Sequence, residues 1–370
     1  MKSIVYIGMD VHKSTYNLCA INGLTGEMLG ETKCGADEKN VEKFINSIKK
    51  MFDYEIEIKT GYEAGCLGYS LYHQLNNRGI DCDILAPTTM ARSSKNKLNK
   101  NDKLDARNIA TNLAHGTYRA VYVPNDHDVE IKEYIRMIDD FKLERKKVKQ
   151  HINALTLRHG YQYSGKSRWI AAHIAWLRAI ELPKLLRETL NEYLSEYESL
   201  SDKIDRFNKR IVEMSNEESY VEPVSKLRCF KGIDTTSAMC MHVEVSDFNR
   251  FPTAKSFASY LGLTPGENSS SDNINYLSIT KQGNSTVRRL LVECTQGLVR
   301  GNVGAKSKAV NARQKGQDVA VIDYADKAVL RLQKKFHKMI YRGMNRNKAI
   351  TAVARELACF IWGMETGNIN

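Results

Sequence analysis

Two long stretches of this chain repeat apolar residues at alternating steps of three and four, a spacing that only a helical stripe satisfies. Ile131, Tyr134, Ile138, Phe141, Val148, Ile152 and Leu155 follow it, with Arg145 in the one interrupted slot. Leu186, Leu190, Tyr193, Tyr197, Leu200, Ile204, Phe207, Ile211 and Met214 keep it without a break. Such a stripe is the seam of a coiled coil. Residues 126–222 are therefore expected to form a helical coiled-coil linker or oligomerisation region, its two helices joined through Gly160 to Pro183. Heptads do not say whether the partner lies in the same chain. An antiparallel hairpin, a dimerisation arm and the core of an ordinary bundle all satisfy the pattern.

The flanking segments have other textures. Ile4 to Asp10 reads as a short apolar strand ending in an acid, and Tyr16 to Ile21 as a second strand entering a turn at Asn22-Gly23. Glu55 to Glu63 alternates in its first half and also ends in an acid, and Asp81 to Ala86 is a further strand that stops at Pro87. Helical patterns at Asn40 to Phe52, Cys66 to Asn77 and Leu104 to Ala114 complete an α/β domain over residues 1–125. Beyond the coiled coil, residues 223–370 read as mainly helical. There Leu227 to Ala238, with Gly232 in its turn, is similar to a helix-hairpin-helix able to present backbone N–H groups to a phosphate. With 370 residues the chain is long enough for two or three such domains.

Charge narrows the partners. The formal charge is +12, and residues 279–360 hold 17 Lys and Arg against 5 Asp and Glu, so this one segment accounts for the whole excess. Such concentration suits a polyanion, although a solvated basic face has the same composition. The eight cysteines are scattered singly, with no zinc spacing, as in reduced and mostly buried thiols. No apolar run approaches a bilayer's thickness, and Met1 to Gly8 enters a strand pattern without a signal peptide's apolar region. A cytoplasmic protein with no membrane partner is expected.

Four carboxylates carry the chemistry. Mg²⁺ takes hard oxygen ligands and must hold a phosphate beside an attacking oxygen. Asp10 and Glu63 sit at strand ends, where a sheet can aim them into one cleft. Asp102 and Asp105 are three residues apart at the start of a helix and share a face. Arg92, Lys95, Lys97, Lys100, Lys103 and Arg107 surround that pair, which fits a nucleic-acid strand lying across the site. The competing account gives Asp102 to a helix start and Asp105 to a lysine partner.

Ile7-Gly8-Met9-Asp10-Val11-His12-Lys13, Gly61-Tyr62-Glu63-Ala64-Gly65, Ala86-Pro87 and Lys100-Asn101-Asp102-Lys103-Leu104-Asp105-Ala106 together resemble the RuvC-like domain of DEDD transposases. These are the Piv/MooV-like insertion-sequence recombinases that work with a bridge RNA. The resemblance resumes over about residues 226–300, through Phe248-Asn249-Arg250-Phe251, Ala258 to Ser271, Ile279 to Asn284 and Arg288-Arg289-Leu290. It implies a ribonuclease-H-like N-terminal domain whose four carboxylates are catalytic and bind Mg²⁺, with Mn²⁺ as a substitute. It also implies a serine nucleophile that falls on Ser270, with Ser269 as runner-up, although Ser271 and Asp272 stand where the family has glycine. A phosphoserine ester would conserve the energy of the cut phosphodiester. The further implications are donor and target DNA, a guide RNA and a homo-oligomer, dimer or tetramer, in which the two domains meet.

Lys281, Arg288 and Arg289 are placed to contact phosphates beside that serine. Arg331, Lys334, Lys335, Lys338, Arg342 and Arg346 interleave with Phe336, Tyr341 and Met344 in a pattern suited to nucleic-acid backbone contact. The expected function is an RNA-guided transposase or site-specific recombinase. The runner-up is a RuvC-type metal-dependent structure-specific endonuclease, which needs the carboxylates but no serine. An actin-like sugar kinase, suggested by Gly8, Asp10, Ser14 and Thr15, lacks a second glycine-rich loop. A binding protein with structural carboxylates is the non-enzymatic alternative.

Overall fold

A computed structural model describes residues 3–91, 101–268 and 275–369. The chain divides into two compact units, Met1–Val123 and Pro124–Asn370.

The first unit is a mixed α/β layer structure. Its strands are β1 (Ser3–Val11), β2 (Thr15–Asn22), β3 (Met28–Gly35), β4 (Ile56–Glu63) and β5 (Asp81–Leu85), and its helices α1 (Glu38–Lys49), α2 (Ser70–Asn76) and α3 (Asp102–His115). The sheet order is β3-β2-β1-β4-β5, antiparallel through the first three strands and parallel from β1 to β5. Alternation decides the layers. Val5, Ile7 and Met9 of β1 point with Ile56 and Tyr62 of β4 towards Val41, Ile45 and Ile48 of α1 and Leu71 and Leu75 of α2. The intervening residues, Gly8 and Gly61, face α3 instead. The hairpin β1–β2 is the expected one. Strand β3 is an addition to the sequence reading: it is an edge strand whose Met28-Leu29-Gly30-Glu31-Thr32-Lys33 carries too few apolar residues to signal itself.

In the second unit the heptad stretches are α4 (Asp126–Arg158) and α6 (Lys184–Met214), with α5 (Ala171–Ala179) between them. Ile152 and Leu155 at the end of α4 cluster with Leu190 and Leu194 at the start of α6, while Ile131, Ile135 and Ile138 join Ile204, Ile211 and Met214. The helices therefore run antiparallel and are each other's partner within one chain, the choice the heptads left open. Arg145 in the interrupted slot turns its guanidinium to Ser201 Oγ at 3.4 Å. The lower part of α4 is buried on a second side too: Lys132 reaches Ser246 Oγ at 3.4 Å and Asp128 accepts the Tyr220 hydroxyl at 2.7 Å.

The rest is helical apart from one hairpin: α7 (Glu218–Leu227), α8 (Thr235–Val245), α9 (Ala254–Tyr260), β6 (Pro265–Glu267), β7 (Tyr276–Ile279), α10 (Ser285–Leu298), α11 (Lys308–Gln314), α12 (Val319–Tyr341) and α13 (Arg346–Glu365). Pro223 lies inside α7 rather than at a break. Helix α13 packs into the core, burying Ala349, Ile350, Val353, Ala354, Leu357, Ala358 and Ile361. At the α7–α8 turn, Gly232 has φ +93°, and a Cβ there would stand 2.3 Å from Cys294 O of α10. Close backbone packing accounts for this glycine. All eight cysteines are unpaired and five are buried. No helix among the described residues is long and apolar enough to cross a membrane.

Two members of the C-terminal basic run are engaged within the unit. Arg331 Nε and Lys335 Nζ both donate to the Glu356 carboxylate, at 2.6 and 2.5 Å. Burial alone would raise the Glu356 pKa, but Lys335 and Arg331 outweigh it and hold the carboxyl below the ordinary glutamate value of 4.5. A depressed pKa contributes stability that is present above 4.5 and lost as pH falls through the folded-state value. With both cations substantially exposed, the contribution is about 1 kcal/mol or less. Glu356→Gln is expected to lower Tm at pH 7 by roughly 2–4 °C, and the difference from the parent protein to shrink as pH falls through the depressed folded-state value, measured by calorimetry.

Candidate functional site

The carboxylates are positioned by two glycines. Gly8 and Gly61 are register partners in the parallel pair β1–β4, and both face α3. A Cβ on Gly8 would meet Ala110 N at 2.2 Å and Ala106 O at 2.3 Å, so α3 lies with its backbone against the strand. Two residues further on, the same face carries Asp10 on β1 and Glu63 on β4, directly after the paired Met9 and Tyr62. On α3, one turn before Ala106, stands Asp102. Asn101 caps the helix, its side chain accepting from Lys103 N, so Asp102 opens the first turn and Asp105 closes it. Carboxylates at that end are favoured by the helix dipole.

The structure thus brings Asp10, Asp102 and Asp105 together, and adds a residue to which the sequence assigned no role. His12 follows β1 in the tight turn to β2, where its N–H donates to Thr15 O at 3.0 Å. Its Nε2 lies 3.1 Å from Asp10 Oδ2 and 3.8 Å from Asp102 Oδ1. Asp10, His12 and Asp102 each offer a ligand atom within 4.8 Å of the others. Burial raises the Asp10 pKa above its usual value; His12 opposes this, and Asp102 and Asp105 add to the rise. Burial is the larger cause, and the two neighbouring carboxylates act in the same direction. The donor set, hard carboxylate oxygens from two elements, fits a divalent ion of the Mg²⁺ class. Glu63 stands at the adjoining strand end, half-buried and placed by strand register.

Of the basic residues around the acids, Arg92, Lys95, Lys97 and Lys100 lie outside the described residues. Arg107 turns away to β3, where its guanidinium pairs with the Glu31 carboxylate and pulls the Glu31 pKa down.

In the second unit, α9 and α10 bracket the β6–β7 hairpin. Thr253 and Ser256 form a reciprocal cap at the start of α9, and Asn284 caps α10. The base of the hairpin is clamped by main-chain contacts. Thr280 N donates to Thr264 O at 3.0 Å and Lys281 N to Gly262 O at 3.1 Å, while a Cβ on Gly262 would meet Gln282 N and O at 2.5 and 2.4 Å. Asn268 N donates to Asn275 O at 2.9 Å, closing the ladder. Ser269 and Ser270 belong to the connection beyond that bond and lie outside the described residues.

The three basic residues assigned to phosphates occupy different settings. Lys281 is exposed and holds φ +58° beside the clamp. Arg288 donates from Nη1 to Leu261 O and Gln282 O, both at 2.8 Å, binding the two sides of the hairpin base together. Arg289 pairs with Asp139 on α4 and with Glu293.

Two family signatures match the chain. The one described as Transposase, DEDD_Tnp_IS110, covers residues 7–159, and the one described as Transposase IS116/IS110/IS902 family covers residues 224–310. The chain is similar to the transposase for insertion sequence element IS1533 of Leptospira borgpetersenii, at 31% identity over 92% of the chain and 97% of that protein. It is also similar to the transposase for insertion sequence element IS1111A of Coxiella burnetii, at 21% identity over 99% of the chain and 91% of that protein.

Proposed function

Because the chain belongs to the IS116/IS110/IS902 family of transposases, enzymes that cut and transfer DNA strands, we propose that Asp10, Glu63, Asp102 and Asp105 hold its divalent metal and Ser270 its broken strand. One observation carries the metal half of this reading: the glycine-lined contact of α3 with β1 sets Asp102 and Asp105 beside Asp10, at the strand end next to Glu63. The sheet order, three antiparallel strands followed by two parallel ones with α3 on one face, supports a ribonuclease-H-like domain. Bound there, Mg²⁺ supplies Lewis acidity towards a phosphate oxygen.

The residues of the chain do the rest. The carboxylates fix the site on rigid elements, two from strand ends and two from one helical turn. Ser270 Oγ attacks the phosphorus of a DNA phosphodiester, one P–O ester bond forms and one breaks, and the serine proton passes to the departing DNA oxygen. Attack by another DNA hydroxyl reverses the exchange and returns the proton to serine, so neither water nor ATP is consumed. The clamped hairpin base supports this role, because a nucleophile needs a rigid mount to hold its orientation. Lys281 contacts the phosphate backbone there, Arg92, Lys95 and Lys97 do so beside the carboxylates, and a guide RNA selects donor and target DNA for an oligomer of the chain.

The test is a cleavage reaction resolved under denaturing conditions. The parent protein is expected to yield a covalent protein–DNA adduct, and Ser270→Ala to lose adduct and joined product together, while Ser269→Ala keeps both. Cleavage by Ser270→Ala at the parent's rate would identify a RuvC-type endonuclease instead. Sequencing the nucleic acid that co-purifies tests guidance: one defined RNA is expected, and its absence would leave DNA read by the protein directly.

A further inference from the structure

We propose that His12 is a metal ligand of this site, so that one ion is held by Asp10, Asp102 and the His12 imidazole, and that this nitrogen makes the site prefer Mn²⁺ to Mg²⁺. The inference rests on the four-carboxylate reading and adds to it a donor of a different chemical class.

Three observations point to it. The first is distance. In an octahedral site with ligands about 2.1 Å from the ion, neighbouring donor atoms are about 3.0 Å apart and opposite ones about 4.2 Å. The His12 Nε2 to Asp10 Oδ2 separation of 3.1 Å matches neighbouring positions, and the 3.8 Å to Asp102 Oδ1 falls between the two values. The second is rigidity. His12 is not on a wandering loop: its N–H is tied to Thr15 O across the β1–β2 turn, and β1 is paired on both sides. The third is orientation. The ring bridges an acid from the sheet and an acid from α3, and both approach the same nitrogen, Nε2, which a single N–H cannot serve equally well. An ion at their common focus satisfies all three.

The choice of metal follows from ligand chemistry. Mg²⁺ takes oxygen ligands and waters, whereas imidazole raises the affinity for first-row transition ions. A carboxylate-only site has no such bias.

The experiment uses the full-length protein and MnCl₂ alone. Free Mn²⁺ is followed by electron paramagnetic resonance to obtain Kd, competition with MgCl₂ gives the preference, and pulsed measurements look for histidine nitrogen coupling to bound Mn²⁺. The parent protein is expected to show the coupling. His12→Ala is expected to lose it and to weaken Mn²⁺ about 10-fold or more, with Mg²⁺ changing much less. His12 is 53% exposed, so the substitution should leave the melting temperature near the parent's. Mn²⁺ bound in the parent without nitrogen coupling, or bound equally by His12→Ala, would make His12 only a hydrogen-bond partner of Asp10 and overturn the inference while the carboxylate site stands. No binding of either ion at millimolar concentration would overturn both.

Discussion

Asp102→Asn is expected to reduce DNA strand cleavage by about 10³-fold or more while leaving the first unit folded. The chemical loss follows from what the residue holds: a metal ion's stabilisation of phosphate charge amounts to several kcal/mol, and each 1.36 kcal/mol is tenfold in rate. The stability change is the balance of two small opposing effects. Asp102 is about half exposed at the first position of α3, where its charge gains about 0.3–1 kcal/mol from the helix N-terminus. Against this, its charge is one of those that raise the Asp10 pKa, so removing it relieves repulsion. The sign for Asp10 is fixed: with its folded-state pKa raised, its ionised form costs stability as pH rises through that pKa, and neutralising a neighbour reduces the cost. The melting temperature should therefore move by no more than about 4 °C in either direction. Cleavage assayed with Mg²⁺, beside calorimetry of the metal-free protein, separates the two quantities. Retention of parental cleavage by Asp102→Asn would show that Asp102 is structural and that strand cutting does not depend on a metal held there.

How much of this was legible in the sequence depends on how local each signal was. The seams of α4 and α6 were fully readable, because a period of 3.5 is written into Leu190, Ile204 and Ile211 themselves. Their pairing was not: Ile152 against Leu190 is a contact between residues far apart in the chain, and a heptad is silent on its partner. Asp10 and Glu63 were visible as strand ends, and Asp102 with Asp105 as a helix start, yet what unites them lies elsewhere. Gly8 looked like part of a motif, whereas its physical role is to let the α3 backbone approach. His12 was written beside Asp10 throughout, but a histidine two residues after an acid alternates to the same side only if the strand's direction holds into the turn. Arg107 and Arg288 show what charge alone leaves unread. As cations near acids or serines they suited phosphates, and the fold gives them protein partners as well: Arg107 pairs with Glu31, and Arg288 Nη1 donates to two loop carbonyls. Charge can be counted along a chain; whether it is already partnered depends on the fold.

The approach of α3 to β1 supplies the sharpest consequence of all, because it makes a residue with no side chain decisive for the chemistry. Gly8→Ala would put a methyl group 2.2 Å from Ala110 N and 2.3 Å from Ala106 O, where ordinary contact begins near 3.4 Å. Both atoms are backbone, so no side-chain rotation can relieve the clash, and α3 must retreat by about 1 Å. Overpacking of this kind costs about 1–3 kcal/mol. For a unit of this size that lowers Tm by roughly 4–12 °C, taking some 4 °C per kcal/mol. The retreat also carries Asp102 and Asp105 away from Asp10, and a displacement of about 1 Å at a reacting centre can cost about 10²-fold in rate. Gly8→Ala is therefore expected to lose about 10²-fold in cleavage at temperatures where it is still folded, and to bind Mn²⁺ more weakly than the parent. Gly30→Ala is the control: it lies in the same sheet, and its new methyl would meet only side chains at ordinary contact distance, Ile48 Cδ1 at 3.4 Å and the Phe44 ring at 3.8 Å, so stability and cleavage should both stay near the parent's. Ala110→Gly should fail to rescue Gly8→Ala, since it removes a side chain and leaves the clashing nitrogen in place. Full cleavage by folded Gly8→Ala would mean that the acids do not depend on how closely α3 lies against β1.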